Sequence, residues 1–156
     1  MPLLSKDDAA AEIERVRAGG GRIVFTNGVF DILHPGHLRY LRHARGLGDI
    51  LVVGLNTDRS VRAIKGESRP VTPEHERAEI LSALECVDIV VLFDEDTPYD
   101  LIKHLQPDVI VKGADWPEES MIGRDIVLAR GGQVVRVAFE AGYSTTRIIE
   151  RVREQT

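Results

Sequence analysis

The chain has 156 residues, 43% of them hydrophobic and 29% charged, and carries a formal net charge of −5 at pH 7. This length fits one globular domain, and the negative charge argues against non-specific binding to nucleic acid or to an anionic membrane. The single cysteine, Cys86, excludes an internal disulfide and a cysteine-rich zinc site and is expected to be a small buried hydrophobe. Because no secretory signal or membrane-spanning apolar run is evident, we expect a cytoplasmic protein.

Short runs rich in valine and isoleucine alternate with helical segments along the chain. A first helix is predicted over Ser5–Ala18, and three consecutive glycines end it. The predicted strands are Arg22–Thr26, Ile50–Leu55, Asp88–Leu92, Asp108–Val111 and Val134–Ala138. The other predicted helices are Pro35–Arg45, Arg59–Ala63, Pro73–Leu84, Pro98–Leu105, Met121–Arg130 and Thr145–Arg153. The strands lack clean alternation, which is typical of a parallel sheet covered on both faces.

This order of elements predicts the α/β class: a single doubly wound, Rossmann-like domain over residues 1–156 with a five-stranded parallel sheet. Thr72 is predicted to cap the helix that starts at Pro73, and Ser144 to cap the last helix. Ligands of such sheets bind at the carboxyl ends of the strands, where the strand order reverses.

The segment Gly28–His37 lies between the first predicted strand and a helix. Its histidines, His34 and His37, are three residues apart, and Gly36 between them allows a ligand to approach the backbone. A helix N-terminus offers unpaired N–H groups and the positive end of the dipole, so together with Asp31 the segment predicts a phosphate site. Two histidines near a helix cap without any ligand are the plain alternative. Zinc is less well supported, because two histidines are half of a tetrahedral site.

The loop between the third and fourth predicted helices carries two cations, Lys65 and Arg69. Long basic side chains on such a loop could reach a polyphosphate, and a solvated surface loop is the alternative. Arg77 follows on the next helix. It either points to the same place or pairs at the surface with Glu74 or Glu76, and the surface pairing is the simpler expectation.

Polar residues also follow the fourth predicted strand and precede the last helix. Lys112 and Asp115 stand at the carboxyl end of that strand, and Trp116 either stacks on a base or covers the edge of the core. The segment 142–146 places three hydroxyl residues at a helix start, where they could contact phosphate in addition to the cap by Ser144. Two phosphate-binding helix starts with cations between them indicate a nucleoside triphosphate as substrate.

These segments resemble the motifs of a known superfamily. Gly28–His37 resembles the HxGH signature of the cytidylyltransferase-like nucleotidyltransferases, and Ser144–Thr146 resembles their C-terminal Ser-Thr-Thr signature. Within that superfamily the chain is most similar to the D-glycero-β-D-manno-heptose 1-phosphate adenylyltransferase family. The matching stretches are Phe25–Gly28, Lys65–Val71, Glu95–Pro98, Val111–Gly113 and Gly142–Thr146.

Two positions bear on the choice of nucleotide. Glycerol-3-phosphate cytidylyltransferases carry an arginine five residues before the serine of their Ser-Thr-Thr motif, and Phe139 stands there in this chain, as fits the heptose family. The pair Asp115–Trp116 is closer to the glycerol-phosphate family. A cytidylyltransferase acting on glycerol 3-phosphate or a related alcohol phosphate therefore remains an alternative. An FAD-synthetase-like adenylyltransferase and a non-catalytic nucleotide sensor are further alternatives.

The resemblance implies transfer of AMP from ATP to heptose 1-phosphate, giving ADP-heptose and pyrophosphate, with Mg²⁺ as the cofactor that accompanies ATP. It also implies a homodimer, no protein-bound metal site and, because the sequence shows no kinase segment, a separate sugar kinase upstream. The implied catalytic residues are His34, His37, Lys65 and Arg77, and the implied acceptor-binding residues are Lys65, Arg69 and Arg77. The implied nucleotide contacts are Asn27, Gly28, Val29, Phe30, Asp31, His34, Gly36, His37, Lys112, Gly113, Asp115, Trp116, Tyr143, Ser144, Thr145 and Thr146.

Overall fold

The computed structural model describes residues 3–138 and 142–156. Five strands lie within these ranges: β1 (Ile23–Gly28), β2 (Ile50–Asn56), β3 (Ile89–Phe93), β4 (Val109–Gly113) and β5 (Gln133–Val137). The helices within them are α1 (Lys6–Ala18), α2 (Pro35–Arg45), α3 (Asp58–Lys65), α4 (Glu74–Ser82), α5 (Tyr99–Leu105), α6 (Arg124–Ala129) and α7 (Thr145–Glu154). None of these helices is long and apolar enough to cross a lipid bilayer.

The strands form one parallel sheet in the order β3-β2-β1-β4-β5, which confirms the predicted class and sheet. The chain adds β2 and β3 on one side of β1 and then crosses over to add β4 and β5 on the other side. The strand order therefore reverses between β1 and β4, and the crevice above their carboxyl ends is the place where such sheets bind ligands.

Two apolar clusters cover the two faces of the sheet. On one face, Leu41 of α2 and Leu81 of α4 pack against the strands. On the other face the partners are Ile13 of α1, Leu101 of α5 and Val127 of α6. The strands between these layers are apolar on both sides, which explains why they lack alternation in the sequence. Cys86 is buried in the first cluster, as predicted, and burial raises the pKa of its thiol.

Several strands extend beyond their predicted ends, because polar residues continue the hydrogen-bonded ladders. β1 reaches Gly28, where it still pairs with Leu55 of β2, and β4 reaches Gly113, where it pairs with Val137. The predicted bounds stop at Thr26 in β1 and at Val111 in β4, before the last two residues of each strand. The additional residues lie at the carboxyl edge of the sheet, so the strands themselves carry polar groups to the candidate site.

Two helix starts differ from the predicted ones. Pro73 occupies the cap position of α4 without a side-chain hydrogen bond, so the predicted cap by Thr72 is wrong. The backbone N–H of Thr72 instead donates to the carboxylate of Asp31, at 2.9 Å. α6 begins only after Gly123, whose φ of 87° is left-handed and breaks the predicted longer helix. The cap of α7 by Ser144 is confirmed, with its hydroxyl accepting from Arg147 N–H at 3.0 Å.

Candidate active site

Two histidine rings lie against each other at the start of α2. His34 is the cap residue, and its Nδ1 accepts a hydrogen bond from the backbone N–H of His37 at 3.4 Å. The two rings stack with centroids 3.8 Å apart and an angle of 23° between their planes. Both imidazoles are therefore held at the positive end of a helix that follows the central strand.

Both histidines are neutral near pH 7. Burial lowers the pKa of His37 to about 4, with a smaller contribution from His34, and burial also lowers the pKa of His34. Because Nδ1 of His34 accepts a hydrogen bond, its neutral ring carries the proton on Nε2. Nδ1 of His37 is buried without a hydrogen-bond partner among the described residues. A neutral imidazole at this place can donate an Nε2–H to an anionic oxygen.

Gly36 lies where two parts of the chain meet closely. A Cβ built there would be 2.9 Å from the His34 ring and 2.9 Å from Cβ of Tyr143. Nearby, Phe30 has a φ of 47°, which is uncommon for a residue with a side chain, and its ring centroid is 5.3 Å from that of His37. The backbone at both ends of the histidine segment is thus closely fitted to the rings around it.

The start of α7 packs on the loop between β1 and α2. The hydroxyl of Thr145 donates to the carbonyl of Ile32 at 3.2 Å. The Tyr143 ring stacks near His34, with centroids 6.1 Å apart, and the Arg39 guanidinium lies 5.4 Å from the Tyr143 ring centroid. The two phosphate-binding helix starts predicted from opposite ends of the chain are therefore neighbours.

Asp31 is buried and its carboxylate is fully engaged by the loop that follows α3. It accepts from Nε of Arg69 at 2.7 Å, from Val71 N–H at 2.9 Å and from Thr72 N–H at 2.9 Å. Burial alone would raise the pKa of Asp31, but these hydrogen bonds outweigh it and keep the pKa below its ordinary value. Asp31 thus fastens the loop of residues 66–72 to the histidine segment.

Arg77 is buried in the same region, only 1% exposed, so the expected surface pairing with Glu74 or Glu76 is wrong. Its Nη2 donates to Asp58 at 2.8 Å. Its remaining contacts are with three backbone carbonyls, those of Thr72 at 2.8 Å, Val29 at 2.7 Å and Asn56 at 2.9 Å. The guanidinium therefore joins α4 to the carboxyl ends of β1 and β2.

The residues after β4 form another side of the crevice. Lys112 is half-buried, and burial lowers the pKa of its amine while Asp115 acts to raise it. Gly113 is buried, whereas Asp115 is exposed and the Trp116 ring is 51% exposed. An exposed ring of this size does not fill the core, so the interpretation of Trp116 as a cover for the core edge loses support.

The other predicted residues occupy different positions around this edge. Asn27 and Gly28 end β1 and are half-buried, and Thr146 is exposed in the first turn of α7. Lys65 is exposed at the end of α3 and, within the described residues, makes no hydrogen bond or ion pair with the histidine segment. Phe139 lies outside the described residues.

Two buried hydroxyl residues at the crevice, Thr26 and Tyr40, are not among the predicted site residues. Their oxygens are 2.8 Å apart, and both lie within hydrogen-bond distance of the carbonyl of Val111. Two signals could have identified them. Thr26 is a polar residue directly after the apolar run Ile23–Phe25, and Tyr40 lies three residues after His37, one turn further along the same side of the helix.

A profile of the cytidylyltransferase-like family matches residues 25–151, which include both the histidine segment and the start of α7. The chain belongs to the cytidylyltransferase-like family. It is accordingly a nucleotidyltransferase, as the motif resemblance implies, and the α/β fold agrees with this assignment.

Members of this family with closely similar sequences include two proteins named bifunctional protein HldE. That of Citrifermentans bemidjiense is 58% identical over 146 residues, 94% of this chain and 30% of the relative. That of Pelobacter propionicus is 55% identical over 151 residues, 97% of this chain and 31% of the relative. This chain therefore spans less than a third of the length of these relatives.

A solved structure with a similar sequence and fold supports the architecture. The lipopolysaccharide core biosynthesis protein from Thermoplasma volcanium GSS1 is 32% identical, with a TM-score of 0.67, over 78% of this chain and 99% of that one. A protein of unknown function from Archaeoglobus fulgidus, 22% identical with a TM-score of 0.59, shares the fold. The single parallel sheet is thus common to proteins of widely different sequence.

Proposed function

We propose that this protein transfers AMP from ATP to D-glycero-β-D-manno-heptose 1-phosphate, releasing pyrophosphate and forming ADP-heptose. The observation that carries the proposal is the packing of Tyr143 and Thr145 against the loop that bears His34, because it joins the two family motifs into one anion-binding edge. The identity of 55–58% with the relatives named HldE supports the choice of acceptor and nucleotide.

In the proposed reaction, an oxygen of the sugar 1-phosphate attacks the α-phosphorus of ATP. A new P–O bond forms there, the bond from the α-phosphorus to the bridging oxygen breaks, and pyrophosphate leaves with that oxygen. The attacking phosphate is ionised at neutral pH, so the protein needs no strong general base. His34 and His37 would donate Nε2–H hydrogen bonds to the α-phosphate oxygens and stabilise the charge of the trigonal-bipyramidal transition state.

The cations around the histidines would hold the remaining phosphates. Lys65 and Arg69 are proposed to bind the acceptor or the β- and γ-phosphates, with Arg69 oriented by Asp31. Arg77, with its guanidinium engaged by the protein, is proposed to position that loop. The hydroxyls of residues 144–146 would contact the triphosphate. The residues proposed to contact ribose and base are Asn27, Gly28, Val29, Lys112, Gly113, Asp115 and Trp116.

Mg²⁺ is proposed to enter with ATP as part of the substrate, because phosphate oxygens and water are its usual ligands. In the described parts of the chain no group of three or more histidine, cysteine or acidic side chains could hold a metal ion. The acceptor would be the product of a sugar kinase reaction, since a sugar 1-phosphate requires phosphorylation. A homodimer and a cytoplasmic location, where ATP is supplied, complete the proposal.

The test is a substrate matrix that follows pyrophosphate release. The protein is incubated with Mg²⁺, each of the four nucleoside triphosphates, and either heptose 1-phosphate or glycerol 3-phosphate. Release with ATP and heptose 1-phosphate alone is the expected result. Release only with CTP and glycerol 3-phosphate would establish the cytidylyltransferase alternative that the pair Asp115–Trp116 favours. Tight nucleotide binding without release would indicate a sensor.

A further inference from the structure

Tyr40 and Thr26 lie where β1 and β4 separate. β1 pairs with β2 as far as Gly28, whereas its pairing with β4 ends at Phe25 and Ile110. Beyond that point the two strands are no longer paired, and the crevice between them is where ligands of open α/β sheets bind. Something other than the ladder must therefore fix the distance between β1, α2 and β4 at the level of the site.

The carbonyl of Val111, the next residue of β4, takes part in a hydroxyl cluster at this point. Thr26 Oγ1 donates to it at 3.0 Å and Tyr40 Oη at 3.1 Å, and the two hydroxyl oxygens are 2.8 Å apart. Both side chains are buried. The two hydroxyl protons are shared among three short contacts, so the three groups act as one hydrogen-bonded unit.

Tyr40 keeps its proton throughout the physiological range. Burial raises the pKa of its phenol to about 12, the hydrogen bond with Thr26 works in the opposite direction, and the charge of Asp115 raises the pKa further. The cluster lies close to the end of β4, because Val111 stands two residues before Gly113, the last residue of that strand.

We propose that Tyr40 and Thr26 form a hydroxyl clamp on Val111 that holds α2 at a fixed separation from β4. The inference rests on the proposed nucleotidyl transfer. Tyr40 follows His37 by one helical turn, and Lys112 follows Val111 directly. The clamp therefore connects the residues proposed to bind the α-phosphate with those proposed to bind the nucleoside. Its members are positioning residues, because they act through their neighbours and touch no reacting atom.

Core filling alone does not account for these two residues. Phenylalanine at position 40 and valine at position 26 would supply similar volume and would spare the cost of burying two hydroxyls. The two hydroxyls hydrogen-bond with each other and with the carbonyl where the ladder is interrupted. The hydroxyls therefore contribute to the geometry of the site, and substitutions that remove only their oxygen atoms test this contribution.

The experiment compares Tyr40→Phe, Thr26→Val and the double variant with Tyr99→Phe. The control removes another tyrosine hydroxyl, which makes a 2.8 Å hydrogen bond to Asp125 and lies on α5, a helix that packs on the other face of the sheet from α2. We expect each clamp variant to lower kcat about tenfold, because small misplacements of catalytic groups cost that much or more. KM for the nucleotide should change less than about threefold.

The double variant should be no worse than the poorer single variant, because both hydroxyls serve one carbonyl. Thr26→Ser should retain most of the rate.

Amide hydrogen exchange without substrate provides a readout that is independent of the reaction. Tyr40→Phe should speed exchange in residues 26–40 and 109–115 relative to Tyr99→Phe. Exchange and kcat both equal to wild type would overturn the clamp, as would a loss of stability with kcat unchanged. If the wild type releases no pyrophosphate with any nucleotide but amide exchange is still faster in Tyr40→Phe, the proposed reaction fails. The clamp then stands as the link between α2 and β4.

Discussion

The carboxylate of Asp31 accepts a hydrogen bond from the guanidinium of Arg69 at 2.7 Å, across 38 residues of sequence. The side chain of Asp31 is 1% exposed and that of Arg69 is 16% exposed, so solvent screens this ion pair little. The pair therefore holds the cationic loop of residues 66–72 against the histidine segment. Four consequences of this and related contacts can be measured.

Asp31→Asn should lower both stability and turnover. Breaking a buried ion pair by removing one partner costs about 3 kcal/mol, and the released Arg69 would lose its orientation. Urea unfolding measures the first effect and pyrophosphate release the second. The matched control is Asp94→Asn, which breaks the exposed ion pair with Arg59 and should change stability far less. Equal effects of the two substitutions would contradict this account of Asp31.

Arg77→Ala should destabilise the protein strongly even though the residue lies beside the proposed site. The substitution leaves three backbone carbonyls and the Asp58 carboxylate without their buried donor, at a cost of about 3–5 kcal/mol. Arg77→Lys should restore part of the stability, because lysine keeps the charge but not the fork of donors. Arg62→Ala, on the exposed side of α3, is the control for loss of one arginine. An Arg77→Ala protein as stable as the control would show that Arg77 serves the substrate rather than the fold.

His37 should make stability depend on pH between about 4 and 6.5. Its folded pKa of about 4 lies below the unfolded value of 6.5, so the unfolded chain binds more protons in this window. The contribution of His37 is complete above pH 6.5 and is lost as pH falls toward 4, and it amounts to about 3 kcal/mol. Unfolding at pH 7 and pH 5 should show a smaller difference in His37→Gln than in wild type. His75→Gln, at an exposed position, should retain the wild-type difference.

Gly36→Ala should impair the junction of α2 and α7. The new methyl group would approach the His34 ring and Cβ of Tyr143 at 2.9 Å, closer than such carbons come in ordinary packing. We expect kcat to fall by about tenfold or more as His34 or Tyr143 is displaced. Gly46→Ala is the control, since its Cβ would come no closer than 3.4 Å to another atom and its φ of −67° suits alanine. Unchanged kcat in Gly36→Ala would show that His34 and Tyr143 accommodate the methyl group without any effect on the reaction.

The strands, the sheet class and the position of the histidine segment follow from local pattern. Valine-rich runs without alternation indicate a sheet covered on both faces, and a strand followed by a glycine-containing helix start places His34 and His37 at its carboxyl edge. The neighbouring start of α7 was also predictable, because Ser144 has the chemistry of a helix cap and such sheets gather helix starts at one edge.

The roles of Asp31, Thr72 and Arg77 depend on partners that local pattern does not reveal. Thr72 has a suitable side chain for a cap, but its N–H is taken by a carboxylate 41 residues away, and the helix begins without it. Arg77 occupies a helix start rich in glutamate, yet the burial of that face directs it to backbone carbonyls. Tyr40 falls on the buried side of α2 by periodicity, whereas the acceptor of its hydroxyl is on a strand 71 residues away.

The contact of Tyr143 with His34 has a consequence for the order in which the molecule is made. No described residue of α7 is buried, so the sheet and its covering helices can assemble before α7 leaves the ribosome. The histidine pair gains its final neighbour only when that segment arrives. A chain shortened before Tyr143 should therefore fold and yet lack activity. Interrupted synthesis would leave a stable but inactive protein rather than a partly active one.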